Sequence, residues 1–255
     1  STRQDFEQAR WADPASVPTD DLETVAGLLP KGMKIVARMG AVLTHMSTTI
    51  MGFESMSIAM AEAPELVSDV AAKLGECLIS AADRASRHPA VGAVIICDDL
   101  GFKTSTLISP DDLRKYFFPW HAEAVAIVHA RGKPAILHSD GNVAAVMDDI
   151  IDFCRYDAKH GFEDAAMPVI EAKKLWGDRI AILGGLDVDV LARQTENEVR
   201  TRARRILDEC APGGGYALGS GNSITNYIPV NNFLAMLDEG LVYSRQPSQM
   251  TRQRV

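Results

Sequence analysis

Six short apolar runs recur along the chain, each broken by Gly, Asp or Asn and followed by a stretch of helical periodicity. This alternation constrains the fold more than any other feature. The runs are MKIVARMG (33–40), AVGAVIICDD (90–99), KPAILHSD (133–140), RYDAKHG (155–161), RIAILGGLD (179–187) and GYALGSGN (215–222). The helical stretches are 65–88, 110–130, 142–153, 164–176, 195–210 and 230–239, each with apolar residues spaced to bury one face. Ser109 before Pro110 and Thr195 with Glu198 are helix-start signals, the second with capping-box spacing. Strands alternating with helices predict an α/β fold with a parallel sheet, closed as a barrel or open and doubly wound. No internal linker rich in Gly, Ser or Pro divides the 255 residues, so one domain over 1–255 is expected, with a polar segment, 1–30, leading into it.

The totals exclude several classes. A net charge of −8 and a pI near 5.3 repel polyanions, so nucleic acid is not an expected partner. Arg200, Arg202, Arg204 and Arg205 alternate with acids, as on a solvated helix face. The chain has no run of about 18 apolar residues, so no membrane span is expected. Cys77, Cys97, Cys154 and Cys210 form no CxxC pair, which points to a reducing cytoplasm.

The polar residues that interrupt the runs fall at their C-terminal ends, the face on which parallel α/β folds build their sites. In HSDGN, His138 and Asp140 stand two apart on an extended segment and so point the same way. They form a general acid/base pair or two metal ligands, or else a core histidine and a helix cap. Asp98 and Asp99 are adjacent and face opposite ways, so at most one meets a ligand and the other binds loop amides. Asp187 is a rim residue or the N-cap of 190–194, and Asn222 is a polar contact in a glycine-rich loop. His160 and Glu163 either reach the same face or lie in a surface loop, the loop being favoured, and His45, His88, His121 and His129 read as structural. No GxSxG, HExxH or paired CxxC pattern occurs.

Taken in order, VIICDDLGFKTSTLISPDDLRKYFFPW, ILHSDGN, KLWGDRIAILGGLDVDVL and APGGGYALGSGNSITNYIPVNN resemble the uroporphyrinogen decarboxylase superfamily, from about residue 33 to 240. That superfamily also holds methylcobamide:coenzyme M methyltransferases and corrinoid-dependent demethylases. The resemblance implies a (β/α)₈ barrel, although only six strand–helix units are visible where a complete barrel has eight. The decarboxylases' arginine-rich segment and FSDIL-like catalytic strand would lie upstream of MKIVARMG, in a portion of roughly 80–100 residues without a counterpart here. Their LGHG histidine is replaced by LGSGN, which weighs against tetrapyrrole decarboxylation. The coenzyme M methyltransferases carry a His and a Cys two apart at the place of HSDGN, both zinc ligands, and another Cys near Asn222. Here His138 is kept while Asp140 and Asn222 stand where thiolates would be, a harder ligand set less suited to a thiol acceptor. The implied activity is transfer of a methyl group between a small substrate and a corrinoid on a partner protein, by an enzyme that resembles cytoplasmic homodimers. His138 and Asp140 are the expected catalytic or metal-binding pair; Asp98 or Asp99, Asp187 and Asn222 are expected to hold substrate. A tetrapyrrole-type decarboxylase and a non-catalytic binding paralogue are the alternatives.

Overall fold

The computed structural model describes residues 2–16 and 20–245. It forms two compact units, 1–159 and 160–255. In the first, α1 (Arg3–Gln8) and α2 (Asp20–Leu28) precede β1 (Ile35–Gly40). Next come α3 (Val42–His45), which runs into a π-helical turn, α4 (Phe53–Glu62), α5 (Pro64–Arg87) and β2 (Val91–Cys97). The short α6 (Pro110–Asp112) passes through a second π-helical turn into α7 (Phe118–Ala130), which leads to β3 (Ala135–His138); β4 (Ala158–His160) lies at the unit boundary. The second unit holds α8 (Val169–Trp176), β5 (Ala181–Leu183), α9 (Val188–Arg193), α10 (Glu196–Cys210), β6 (Tyr216–Ala217) and α11 (Val230–Ser244).

Strands β1, β2 and β3 are parallel, with Arg38 beside Ile95, Ile95 beside Ile136, and Cys97 beside Gly40 and His138. Their period of two sorts the faces. Ala37, Met39, Val94, Ile96, Ala135 and Leu137 are buried, whereas Arg38, Ile95, Cys97, Ile136 and His138 are less enclosed. The buried face is the core side, and each fully buried large apolar side chain there stabilises the fold by about 1.5–3 kcal/mol.

The long α5 begins with Pro64 at its first turn, where a missing N–H costs nothing, and buries Leu66, Val67, Val70, Ala71, Leu78 and Ala82 on one face. Gly75 admits α7: a Cβ there would stand 2.1 Å from the Trp120 ring. Ser109 caps α6 through the amide of Asp112, and Thr195 and Glu198 form the expected reciprocal box at α10. In the second unit β5 and β6 are parallel, with Ile182 beside Tyr216.

The stretch 142–153 departs from the expected regular helix, forming a 3₁₀ turn at Ala144–Val146 and a π-helical turn at Asp149–Phe153. Asn142 Oδ1 accepts from the Ala144 amide only two residues on, which tightens the start, and Arg155 leaves the turn at a φ of 64°. The segment 42–62, unassigned by periodicity, carries α3 and α4. Arg200, Arg202 and Arg204 are not simply solvated: they pair with Asp238, Asp164 and Glu239.

Candidate functional site

The loops after β2 and β3 are joined by backbone and side-chain hydrogen bonds. Asn142 N donates to Phe102 O at 2.6 Å, Leu100 N to Ser139 Oγ at 3.0 Å, and Asp140 N to Asp99 Oδ1 at 3.2 Å. Two glycines permit this approach. A Cβ on Gly101 would lie 2.6 Å from the Asp140 carbonyl oxygen, and one on Gly141, whose φ is +75°, would lie 2.5 Å from the Gly101 carbonyl carbon. The result is that Asp99, at the end of β2, meets His138 and Asp140, at the end of β3. One ligand atom of each lies within 4.8 Å of the other two, and His138 Nε2 is 3.6 Å from Asp140 Oδ1. All three side chains are half-buried, so they are held yet reachable.

The neighbouring carboxylate has a different task. Asp98 is fully enclosed and accepts from Leu43 N at 3.1 Å, Thr44 N at 2.7 Å and His121 Nε2 at 3.0 Å. His121 Nδ1 in turn meets the Tyr156 hydroxyl at 2.7 Å. Burial pushes the Asp98 pKa up, but the His121 hydrogen bond and charge, with the two amides, outweigh it and hold the pKa below the usual carboxylate range. Asp98 therefore ties the end of β2 to the start of α3 and to α7, and it presents no surface to a ligand. Thr44 Oγ1 accepts from the Asp99 amide at 2.9 Å and so fixes the next residue. Below the site, buried Lys159 donates to Ser139 O at 3.0 Å. Thr44, His121, Tyr156, Ser139 and Lys159 carry no recognisable pattern in the sequence, because each acts through a partner distant along the chain.

Asp187 and Asn222 lie in the second unit, where both line a cavity of about 950 Å³ together with Glu163, Asp164, Thr225 and Tyr227. Asp187 accepts from the amides of Asp189, at 2.7 Å, and Asp164, at 2.8 Å, so it caps α9 and pins a second loop. Asn222 Oδ1 accepts from Ser223 N at 2.7 Å. Burial raises the Asp164 pKa even though Arg202 bonds both of its oxygens at 2.7 Å. His160 ends β4 rather than lying in a surface loop, and its Nε2 lies 3.1 Å from Ser220 O.

The donors Asp99, His138 and Asp140 fit a hard or borderline divalent cation, with one imidazole nitrogen and two carboxylate oxygens. Donors around a tetrahedral ion with bonds of about 2.1 Å are roughly 3.5 Å apart, so small side-chain rotations would close the set. No thiolate belongs to it.

The family model of uroporphyrinogen decarboxylase (URO-D) matches residues 3–240. The chain belongs to the uroporphyrinogen decarboxylase family. Curated uroporphyrinogen decarboxylases from Thioalkalivibrio sulfidiphilus and Azoarcus are 34% identical over 76 residues and 32% over 83, covering 30% and 32% of this chain. These matches span 21% and 23% of the relatives' own lengths, about a fifth. A solved methyltransferase from Methanosarcina mazei superposes with a TM-score of 0.73 at 19% identity, over 90% of this chain and 68% of that one. This likeness shows the fold, α/β and TIM-barrel-like: the alternation of strands and helices predicts the α/β class, and the family resemblance the barrel. Within the URO-D family the fold serves methyltransferases and decarboxylases, so membership establishes an enzyme family rather than one reaction.

Proposed function

We propose that this URO-D family member transfers a methyl group between a small substrate and a corrinoid carried on a partner protein, at the site formed by Asp99, His138 and Asp140. The convergence of these three side chains at two strand ends is the observation that carries the reading; the likeness to the Methanosarcina mazei methyltransferase supports its class. Asp99, His138 and Asp140 would hold a divalent cation, which would supply Lewis acidity toward the substrate atom that gives up the methyl group. The corrinoid would supply the centre that exchanges the methyl group with substrate. The chain's own residues do the positioning. Gly101 and Gly141 bring the loops together, the Asp98–His121 pair anchors β2, and the Thr44 hydroxyl fixes the Asp99 backbone. Oxygen ligands in place of thiolates favour an oxygen- or nitrogen-linked methyl group over a thiol acceptor. All four cysteines are free, which suits work in a reducing cytoplasm; no helix among the described residues is long and apolar enough to cross a membrane.

The test pairs elemental analysis and Zn²⁺ or Mn²⁺ titration with a spectroscopic assay of methyl transfer to reduced corrinoid from methoxylated and N-methylated compounds. His138→Ala should weaken cation binding and activity at least tenfold, and a loss of less than tenfold in activity removes His138 from the mechanism. The curated relatives support a second reading, decarboxylation of an acid of the tetrapyrrole kind. Release of CO₂ from uroporphyrinogen would establish it in place of methyl transfer.

A further inference from the structure

On the sheet face that carries His138, one row back from the site, stands a cation. Arg38 is exposed, and the strand register sets it beside Ile95, which is beside Ile136. Cys97 and His138 form the next row toward the strand ends. Residues paired across parallel strands point to the same side, so Arg38, Cys97 and His138 share one face. The Cys97 thiol agrees with this direction, since Arg38 hydrogen-bonds to it. Among the described residues no carboxylate pairs with Arg38; the thiol is a weak acceptor for one of five N–H donors. By contrast Arg87, Arg114, Arg131 and Arg193 of the same chain each meet an acid.

We infer that Arg38 is a specificity residue that binds a carboxylate on the substrate, and that the substrate is therefore a small carboxylic acid whose methyl-bearing end lies toward Asp99, His138 and Asp140. This rests on the proposed site and adds the substrate class to it. Strands lie about 4.8 Å apart and residues advance about 3.3 Å along each, so the Arg38 and His138 backbones stand about 12 Å apart, and a ligand joining the two side chains bridges what their own lengths leave. Between the two ends it crosses Ile95 and Ile136, which suits a hydrocarbon or aromatic spacer. A guanidinium binds a carboxylate through two parallel hydrogen bonds, which a lysine replaces with a point charge.

Calorimetric titration of the whole chain with benzoate and 4-methoxybenzoate, each against its neutral amide, tests this. The wild type should bind at least one of the two acids tenfold or more tightly than its amide. Arg38→Gln should abolish that preference, Arg38→Lys should retain part of it, and amide affinity and circular dichroism should be unchanged in both. Equal binding of acids and amides by the wild type overturns the inference. So does a preference that survives Arg38→Gln and vanishes with EDTA, since the acid would then bind the metal. Zn²⁺ titration separates the two proposals: unchanged cation affinity in Arg38→Gln is expected. A wild type that binds no cation yet keeps an Arg38-dependent preference rejects the metal site alone and supports the role of Arg38.

Discussion

Replacing Asp98 with asparagine asks whether the end of β2 is held by charge or only by shape. The carboxylate accepts from two backbone amides and from His121, all in an environment without solvent. Asparagine keeps one acceptor oxygen. Its NH₂ must face either the Leu43 or the Thr44 amide, donor against donor, so one bond is lost and one buried N–H is orphaned. A bond to a charged acceptor contributes about 1.5–3 kcal/mol and an orphaned buried donor costs about 1–3 kcal/mol. Together they predict a destabilisation of about 3–5 kcal/mol, the range for breaking a buried pair. At about 2–4 °C per kcal/mol for a chain of this size, the thermal midpoint should fall by about 6–20 °C, measured by circular dichroism at pH 7. The pH dependence has a definite sign. A depressed carboxylate contributes stability that is complete above its unfolded pKa, about 3.9, and is lost as pH falls through the lower folded value. The gap between wild type and Asp98→Asn should therefore hold from pH 7 to about 5 and close only below about pH 4. A midpoint within 2 °C of wild type at pH 7 refutes the reasoning.

Gly141→Ala should be destabilised by at least about 2 kcal/mol and should lose cation binding tenfold or more, because its Cβ would overlap the Gly101 backbone. Gly132→Ala is the control: its φ is also positive, at +67°, but its Cβ meets nothing within 4 Å, so only about 1 kcal/mol of backbone strain is expected. Equal denaturant midpoints for the two variants would show that the loop contact contributes nothing. In the second unit, buried Asn232 Nδ2 donates to Leu191 O at 2.8 Å and Gln194 O at 2.7 Å, joining α11 to the end of α9. Asn232→Leu keeps the heavy-atom count and branching and should cost about 2–3 kcal/mol by urea denaturation, whereas a cost under 1 kcal/mol would mean that water replaces the amide.

The strands were legible because their signal is local. In each of the six runs the apolar residues, the break and the following helix lie within a few dozen residues, and β1 to β6 form inside the expected limits. Regularity was harder to read. The 142–153 stretch has helical periodicity, yet Asn142 binds the Ala144 amide and the backbone takes 3₁₀ and π turns, a contest between side chain and helix that spacing does not record. His138 and Asp140 stand out because both interrupt the same apolar run. Asp99 as their partner depends on Gly101 meeting Gly141 across 40 positions, and neither glycine announces that approach.

The pair Asp98–Asp99 shows where the limit of sequence reasoning lies in physical terms. Alternation along an extended chain requires the two carboxylates to diverge, and it says nothing about which one turns inward. The choice belongs to groups 23 and 55 positions away: His121, which supplies a donor, and Leu43, whose amide opens α3. With those donors in place the inward carboxylate is fully bonded and stays charged although buried, and the outward one, with one oxygen bonded to the Asp140 amide, is left facing the loop junction where a ligand can reach it. A buried structural acid and an accessible candidate ligand are thus made from the same residue type at adjacent positions, one because three donors enclose it and the other because His138 and Asp140 open onto it. Exchanging the two environments requires moving α3 and α7, whereas removing either acid requires one substitution. Asp98→Asn should therefore lower stability first, while Asp99→Asn should lower cation affinity at a nearly unchanged midpoint.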